Sequence, residues 1–131
     1  MKPLNESLIG VPGGAAELQT PALVIDLDRF EANAKLMETH CRMAGIGLRP
    51  HTKTHKSPQI ARMQMKSGAV GICCAKLGEA EVMSEGGLPS ILVTSPIVTA
   101  RGLERLTRLD TSHRAWLLYT SPSPRDSIAS R

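Results

Sequence analysis

The chain has 131 residues, of which 41% are hydrophobic and 21% are charged, and its formal net charge is +4. This composition is typical of one modest globular domain, and no run reaches the roughly 18 apolar residues of a membrane span. With one Phe, one Trp and one Tyr there are few rings to stack on bases, so the composition argues against a nucleic-acid-binding module.

The amino terminus and the cysteines indicate the compartment. The first residues, MKPLNESLIG, lack the apolar segment of a secretory signal. The chain has three cysteines, with Cys73 and Cys74 adjacent, and these form neither a disulfide framework nor a CxxC metal pattern. We therefore expect reduced, packed thiols in a soluble cytoplasmic protein.

The first predicted elements are a strand and a helix. The segment PALVIDL, at 21–27, is short, apolar and β-branched, which predicts a buried strand. A helix is expected to follow, capped by Asp28 with Glu31 three residues later and ended by Gly45. Its apolar stripe is predicted to contain five residues at helical spacing: Phe30, Ala34, Met37, Cys41 and Ala44.

The same alternation repeats after Gly45. Strands are predicted at GIGL (45–48), AVGICCA (69–75) and SILVTSP (90–96). Helices are predicted to start at Ser57-Pro58, to cover LGEAEVMSE (77–85), and to cover TARGLERLTRL (99–109) with Thr99 as the cap. Alternating strands and helices imply βαβ units and a parallel sheet, so the predicted class is α/β, as a barrel or a doubly wound sheet.

Cationic and titratable side chains are concentrated in LRPHTKTHKS, at 48–57, where a predicted strand ends. On an extended strand His51, Lys53 and His55 share one face, and the threonines between them take the other. The residues alone leave four uses open: a solvated basic loop, an anion site, a metal site or a catalytic lysine. Lys53 between the histidines disfavours a metal, whereas desolvation and cationic neighbours favour the neutral amine that a Schiff-base nucleophile requires.

The end of the chain departs from the alternation. LLYTSPSPRD, at 117–126, places two Ser-Pro pairs where the next strand is expected, and it resembles the translation of a transposase-type sequencing adapter. We expect residues 117–131 to be an artefactual tail on the amino-terminal part of a longer protein. Such a piece is expected neither to fold stably nor to catalyse a reaction alone, because its strand edges and apolar faces lack partners.

Four blocks of the sequence resemble, in order, the amino-terminal half of the D-threonine aldolase and D-serine dehydratase-like enzymes. The blocks are QTPALVIDLDRFEANAKLM, LRPHTKTHKSPQIARMQ, GAVGICCAKLGEAEVM and ILVTSPIV. These enzymes have the alanine-racemase-type, fold-type III architecture that binds pyridoxal phosphate. The resemblance implies that 1–20 form an amino-terminal arm and that 21–116 form the truncated start of a (β/α)8 TIM-type barrel. In this arrangement the strand at 22–26 belongs to a separate β-domain, completed by the missing carboxyl-terminal part, and the barrel begins near Leu48.

The resemblance also implies roles for individual residues. Lys53 would form the Schiff base with pyridoxal phosphate, and His51 would act beside it as a second catalytic residue. Three further residues would contact the cofactor: Thr54, His55 and Thr94. A divalent metal ion, Mn, Mg or Zn, is expected in the longer protein, with ligands that this chain does not contain.

The implied activity is that of a lyase on D-β-hydroxy-α-amino acids, such as cleavage of D-threonine to glycine and acetaldehyde by a homodimer. Alternatives with the same fold are a D-serine dehydratase and a 3-hydroxy-D-aspartate aldolase. An alternative of another class is an anion or nucleic-acid-binding module without catalysis, in which Arg49, Lys53 and Lys56 meet phosphates and binding depends steeply on salt. We expect a small-molecule substrate and neither a nucleic acid nor a membrane as partner.

Overall fold

A computed structural model describes residues 4–113 and 116–117 of the chain, with side chains described up to Leu109. The chain divides into two compact units, Met1–Ala32 and Asn33–Arg131. The first unit contains two short 3₁₀ helices, Glu6–Leu8 and Gly14–Glu17. The helix α1 (Leu27–Met43) begins in this unit and ends in the second.

The strand predicted at 21–27 does not form. Residues 22–26 have no assigned secondary structure, and Leu23 and Val24 are exposed. A strand is stable only when a neighbour satisfies its backbone groups, and no described segment pairs with this one. Propensity alone therefore gave a wrong prediction here.

Helix α1 starts two residues earlier than predicted, because Asp26 and not Asp28 is its cap. The Asp26 carboxylate accepts the Arg29 N–H at 3.0 Å, and the Asp26 carbonyl accepts the Phe30 N–H at 2.9 Å. The predicted end is confirmed. Gly45 has a φ of +66°, and the Ile46 N–H returns to the Cys41 carbonyl at 3.0 Å, which is the geometry of a glycine-terminated helix.

The second unit alternates helices and parallel strands, which confirms the predicted α/β class. In chain order its elements after α1 are α2 (Pro58–Lys66), β1 (Ile72–Cys74), α3 (Leu77–Glu85), β2 (Ile91–Val93), α4 (Ala100–His113) and β3 (Trp116–Leu117). The strand order is β1-β2-β3, with Cys73 opposite Leu92 and Val93 opposite Leu117.

A further extended segment, 48–52, lies parallel to β1 on its free side. The Leu48 carbonyl accepts the Val70 N–H at 2.9 Å. The Pro50 carbonyl accepts the Cys73 N–H at 2.7 Å, and the Cys73 carbonyl accepts the Thr52 N–H at 2.8 Å. His51 is bridged to Cys73. The strand predicted at 45–48 is therefore displaced toward the HTKTH motif.

The two predicted helix caps in this unit are confirmed. The Ser57 hydroxyl accepts the Ile60 N–H at 3.4 Å, with Pro58 as the first residue of α2. The Thr99 hydroxyl accepts the Gly102 N–H at 3.1 Å at the start of α4. Capping depends on residues close together in sequence, which is why it could be read from the sequence.

The sheet has one fully buried face. Ile72, Cys74, Ile91 and Val93 pack on that face with residues of α2, α3 and α4, namely Ala61, Leu77, Ala80, Met83 and Leu109. Because side chains alternate along a strand, the opposite face carries His51, Cys73 and Leu92, which are only half-buried. The site described below lies on that second face.

Leu117, assigned to the tail on sequence grounds, lies in β3 opposite Val93. The rest of the predicted tail, 118–131, lies outside the described residues. No helix in the described part of the chain is both long enough and apolar enough to cross a membrane.

Candidate functional site

The carboxyl ends of the 48–52 segment, β1 and β2 are joined by side chains. The His51 Nε2 lies 3.4 Å from the Thr94 hydroxyl, across the intervening strand β1. Thr94 follows the last residue of β2, and its hydroxyl also donates to the Cys74 carbonyl at the end of β1, at 3.2 Å. His51 and Thr94, both predicted site residues, are thus brought together.

The hydrogen bonds around His51 assign its tautomer. The His51 Nδ1 accepts the backbone N–H of Lys53 at 3.3 Å. A neutral imidazole carries one proton, so that proton lies on Nε2 and is directed at Thr94. The Thr94 hydroxyl can accept it because its own proton goes to the Cys74 carbonyl. A continuous chain of hydrogen bonds therefore runs from the Lys53 backbone through His51 and Thr94 to β1.

The predicted alternation of HTKTH is wrong beyond His51, because 52–55 form a turn and not a strand. The turn begins at Thr52, which is fully buried. The Thr52 hydroxyl donates to the Cys73 carbonyl at 3.0 Å and lies 3.3 Å from the Cys74 Sγ. The Lys56 N–H then returns to the Thr52 carbonyl at 2.8 Å.

The turn presents Lys53 and Thr54 to the outside, since both residues are exposed. Lys53 lies in the turn two residues after His51, and its backbone N–H donates to the His51 Nδ1. The lysine predicted to be the nucleophile is therefore at the carboxyl end of the strands, where α/β proteins place functional groups.

His55, predicted to contact a cofactor, is used at the start of α2. Its Nδ1 accepts the Ser57 N–H at 3.0 Å. Its Nε2 is buried without an ideally placed hydrogen-bond partner in the described part of the chain, as is the Gln64 Oε1 of α2. Burial lowers the pKa of His55, and the opposing effects of Gln64 and the Ser57 backbone are smaller. The structure does not place its ring with His51 and Thr94.

Glu79 was missed by the sequence analysis. It is the third residue of α3, and its carboxylate, 12% exposed, accepts the Ala75 N–H at 2.8 Å and lies 3.7 Å from the Lys56 Nζ. An acidic residue at the third helical position is a known signature of a capped helix start. That signal was present in LGEAEVMSE, but the pairing with Lys56 is not readable from local sequence.

The two adjacent cysteines lie on opposite faces of β1, Cys74 buried and Cys73 half-buried. Burial raises the pKa of both thiols, and for Cys74 the negative charge of Glu79 adds to the effect. A thiol with a raised pKa is a poor nucleophile and a poor metal ligand. Cys74 lies in the core, as expected for a packed thiol, while Cys73 lies on the face of His51.

Two of the three cations named for a phosphate-binding module are engaged within the protein. The Arg49 guanidinium donates to the Ser90 carbonyl and hydroxyl at the amino end of the sheet. Lys56 pairs with Glu79. The Arg49 guanidinium is thus held at Ser90, before β2, whereas Lys53 follows the 48–52 segment. In the described residues there is also no group of three or more His, Cys, Asp or Glu side chains that could hold a metal.

Comparison with known proteins identifies the domain. The model of the family "Alanine racemase, N-terminal domain" matches residues 25–118, which is most of the chain. The chain belongs to this family. The resemblance inferred from the four sequence blocks is thereby confirmed.

Several relatives of this alanine racemase N-terminal domain are named for the reactions that they catalyse. The 3-hydroxy-D-aspartate aldolase of Paracoccus denitrificans is 39% identical over 95 residues, covering 72% of this chain and 24% of the relative. The crystal structure of D-threonine aldolase from Filomicrobium marinum matches at 43% identity with a TM-score of 0.76, covering 78% of this chain and 28% of that one. D-threo-3-hydroxyaspartate dehydratase from Delftia sp. HT23 matches at 38% identity with a TM-score of 0.66, covering 72% and 24%, and a mutant of that dehydratase is described as metal-free. The chain therefore spans about a quarter of the length of these proteins.

Proposed function

We propose that the whole protein that carries this chain, called the parent protein below, is a pyridoxal phosphate-dependent lyase of D-β-hydroxy-α-amino acids with the activity of a D-threonine aldolase. The observation that carries the proposal is the position of Lys53. Lys53 follows the end of a parallel strand with its side chain exposed, and its backbone N–H donates to His51, which is hydrogen-bonded to Thr94. Relatives named as aldolases and a dehydratase of such amino acids support the reaction class.

The residues at this end of the sheet fit one part of pyridoxal phosphate. The cofactor has an aldehyde, which needs a primary amine, and a neighbouring ring hydroxyl, which needs polar partners. Lys53 supplies the amine and His51 an imidazole, and the Thr94 hydroxyl holds that imidazole at the end of β2. Thr54, exposed on the same turn, is a further polar group available to the cofactor.

Lys53 would bind the cofactor aldehyde through its side-chain nitrogen and release it when the substrate amine takes its place. The cofactor, once bound, supplies an acceptor for the electron pair of the bond that breaks at the substrate Cα. His51 would lie beside the cofactor, and the hydrogen bond from the Lys53 N–H to Nδ1 keeps the imidazole proton on Nε2. Thr94 accepts that proton and so fixes the orientation of the imidazole ring.

A divalent metal ion is part of the proposal only for the parent protein. The described residues of this chain do not fit a metal, since they contain no cluster of suitable ligands. We propose that its ligands lie in another part of the parent protein, and that the parent protein is a homodimer.

The domain arrangement is proposed in the same way. We propose that 21–116 contribute the first strands of a TIM-type barrel and that 1–20 are an arm. The segment at 22–26 would pair within a second, β-rich domain of the parent protein. Its exposed apolar side chains Leu23 and Val24 support this pairing, because apolar side chains of a β-branched segment are usually covered.

Product analysis tests the reaction. The parent protein, supplied with pyridoxal phosphate and a divalent metal, should convert D-threonine to glycine and acetaldehyde. Lys53→Ala should abolish this turnover, whereas Lys66→Ala, at an exposed lysine in the last turn of α2, should leave it unchanged.

The alternatives give different results in the same assay. A dehydratase would release ammonia and a keto acid, and a 3-hydroxy-D-aspartate aldolase would release glyoxylate from 3-hydroxy-D-aspartate. Salt-dependent binding to nucleic acid with no turnover of any D-β-hydroxy amino acid would overturn the proposal in favour of a binding module.

A further inference from the structure

The turn that carries Lys53 has an anchor at each end. At its start Thr52 is fully buried, and its hydroxyl is bonded to the Cys73 carbonyl. At its end Lys56 is paired with Glu79 of α3, and the Lys56 N–H closes the turn on the Thr52 carbonyl. Between these anchors Lys53 and Thr54 are exposed.

The second anchor stabilises an uncommon backbone conformation. Lys56 has a φ of +49°, in the left-handed region that residues with a side chain adopt rarely. Such a conformation persists when surrounding contacts specify it. Lys56 makes a backbone hydrogen bond to Thr52 and an ion pair with Glu79.

Glu79 has a second partner besides Lys56. One carboxylate oxygen accepts the Ala75 N–H at 2.8 Å, at the residue that follows β1, and the other oxygen faces the Lys56 ammonium. The side chain is only 12% exposed. One carboxylate therefore joins the turn after the 48–52 segment to the loop after β1.

We infer that Glu79 is a positioning residue of the proposed site, whose carboxylate holds the turn 52–56 and thereby sets the direction of Lys53. Its role toward the cofactor rests on the proposed function, while its role in ordering the turn does not. Glu79 acts through Lys56 and the backbone, and it does not itself contact the reacting groups. Without its charge the turn should sample other conformations, and Lys53 should spend less time in the productive one.

The test compares three variants of the parent protein that break the ion pair, and Lys56→Arg, which keeps it, with a control. Glu79→Gln keeps an oxygen that can accept the Ala75 N–H but removes the charge, and Lys56→Met keeps the aliphatic stem but removes the ammonium. The third variant combines both changes. The control is Glu85→Gln, at an exposed glutamate that ends the same helix.

The first measurement is hydrogen exchange of the 52–57 amides without cofactor. A largely surface ion pair contributes enough to change such an opening equilibrium by about 1.5- to 5-fold. Glu79→Gln should speed exchange of the Lys56 amide by this factor and Glu85→Gln should not. The double variant should exchange no faster than either single variant, since each removes the same pair.

The second measurement separates kcat from KM in the cofactor-loaded parent protein. We expect Glu79→Gln to lower kcat by a similar factor with KM unchanged, and Lys56→Arg, which keeps the pair, to retain the wild-type kcat. Exchange and kcat equal to those of Glu85→Gln, or additive effects in the double variant, would overturn the inference. If Lys53 carries no cofactor at all, the proposed function fails, and the exchange result still decides whether Glu79 orders the turn.

Discussion

Thr94→Val is the substitution that isolates the bond between Thr94 and His51. Valine keeps the branched shape of threonine, and the Thr94 N–H continues to donate to the Cys74 carbonyl at 2.9 Å, so β2 stays in register with β1. The Cys74 carbonyl therefore keeps a partner. The His51 Nε2 loses the hydroxyl at 3.4 Å that accepts its proton.

The expected effect follows from the length of that bond. A neutral hydrogen bond contributes about 0.5–1.5 kcal/mol, and a bond of 3.4 Å belongs to the lower half of that range, about 0.5–1 kcal/mol. This corresponds to a loss of about two- to fivefold in the population with a correctly oriented ring. The loss should be seen in kcat/KM for D-threonine cleavage by the parent protein, with cofactor binding little changed.

The assay is the pH dependence of kcat/KM for Thr94→Val, Thr94→Ser, His51→Ala and the double variant. Thr94→Ser should retain activity because it keeps the hydroxyl, and His51→Ala should lower it more than Thr94→Val does. The double variant should match His51→Ala, because Thr94 acts through the ring. Ser95→Ala, at the neighbouring exposed hydroxyl, is the control. A Thr94→Val protein with wild-type kcat/KM, or an additive double variant, would refute the proposed coupling.

Three further predictions concern stability, measured as the free energy of unfolding of the parent protein in urea. The pKa of His55 in the folded protein lies below its ordinary value of 6.5, so the unfolded chain binds a proton at His55 at a higher pH than the folded chain does, and stability should fall as pH decreases below about 6.5. His55→Asn should remove this part of the dependence of stability on pH, and an unchanged dependence would contradict the prediction. Ser57→Ala should cost about 1 kcal/mol by removing the cap of α2, and Ser57→Asp should not; equal stability of the two variants would show that the cap contributes nothing. Gly71→Ala should lower stability by about 1–3 kcal/mol, because the new Cβ would overlap the Arg49 guanidinium and the Ser90 carbonyl. Adding Arg49→Ala should restore only part of the lost stability, and full restoration would show that the Ser90 backbone moves away from the new Cβ.

Features decided by neighbours in sequence were predicted from the sequence. The caps at Ser57 and Thr99 and the glycine that ends α1 each depend on residues within one helical turn. The alternation of helices and parallel strands also followed, because apolar runs such as ILV have the composition of buried strands. The family resemblance then indicated Lys53, His51 and Thr94 as one group, and the structure brings the last two into contact.

Features decided by distant contacts could not be predicted in this way. The segment at 22–26 has strand propensity, but a strand also needs a partner. HTKTH turns after His51 because Thr52 is bonded to β1, so the expected shared face of Lys53 and His55 does not exist. Glu79 meets Lys56 only once α3 is packed against the sheet. For HTKTH and for Glu79 the deciding partner lies more than a dozen residues away in the sequence.

The most direct test of the central claim is the site of cofactor attachment. The parent protein loaded with pyridoxal phosphate is reduced with borohydride and digested, and the modified peptide is sequenced by mass spectrometry. The account predicts a single reduced adduct on Lys53, lost in Lys53→Ala and retained in Lys66→Ala. An adduct on Lys56 or Lys76, or cofactor-dependent turnover with no adduct on Lys53, would contradict it.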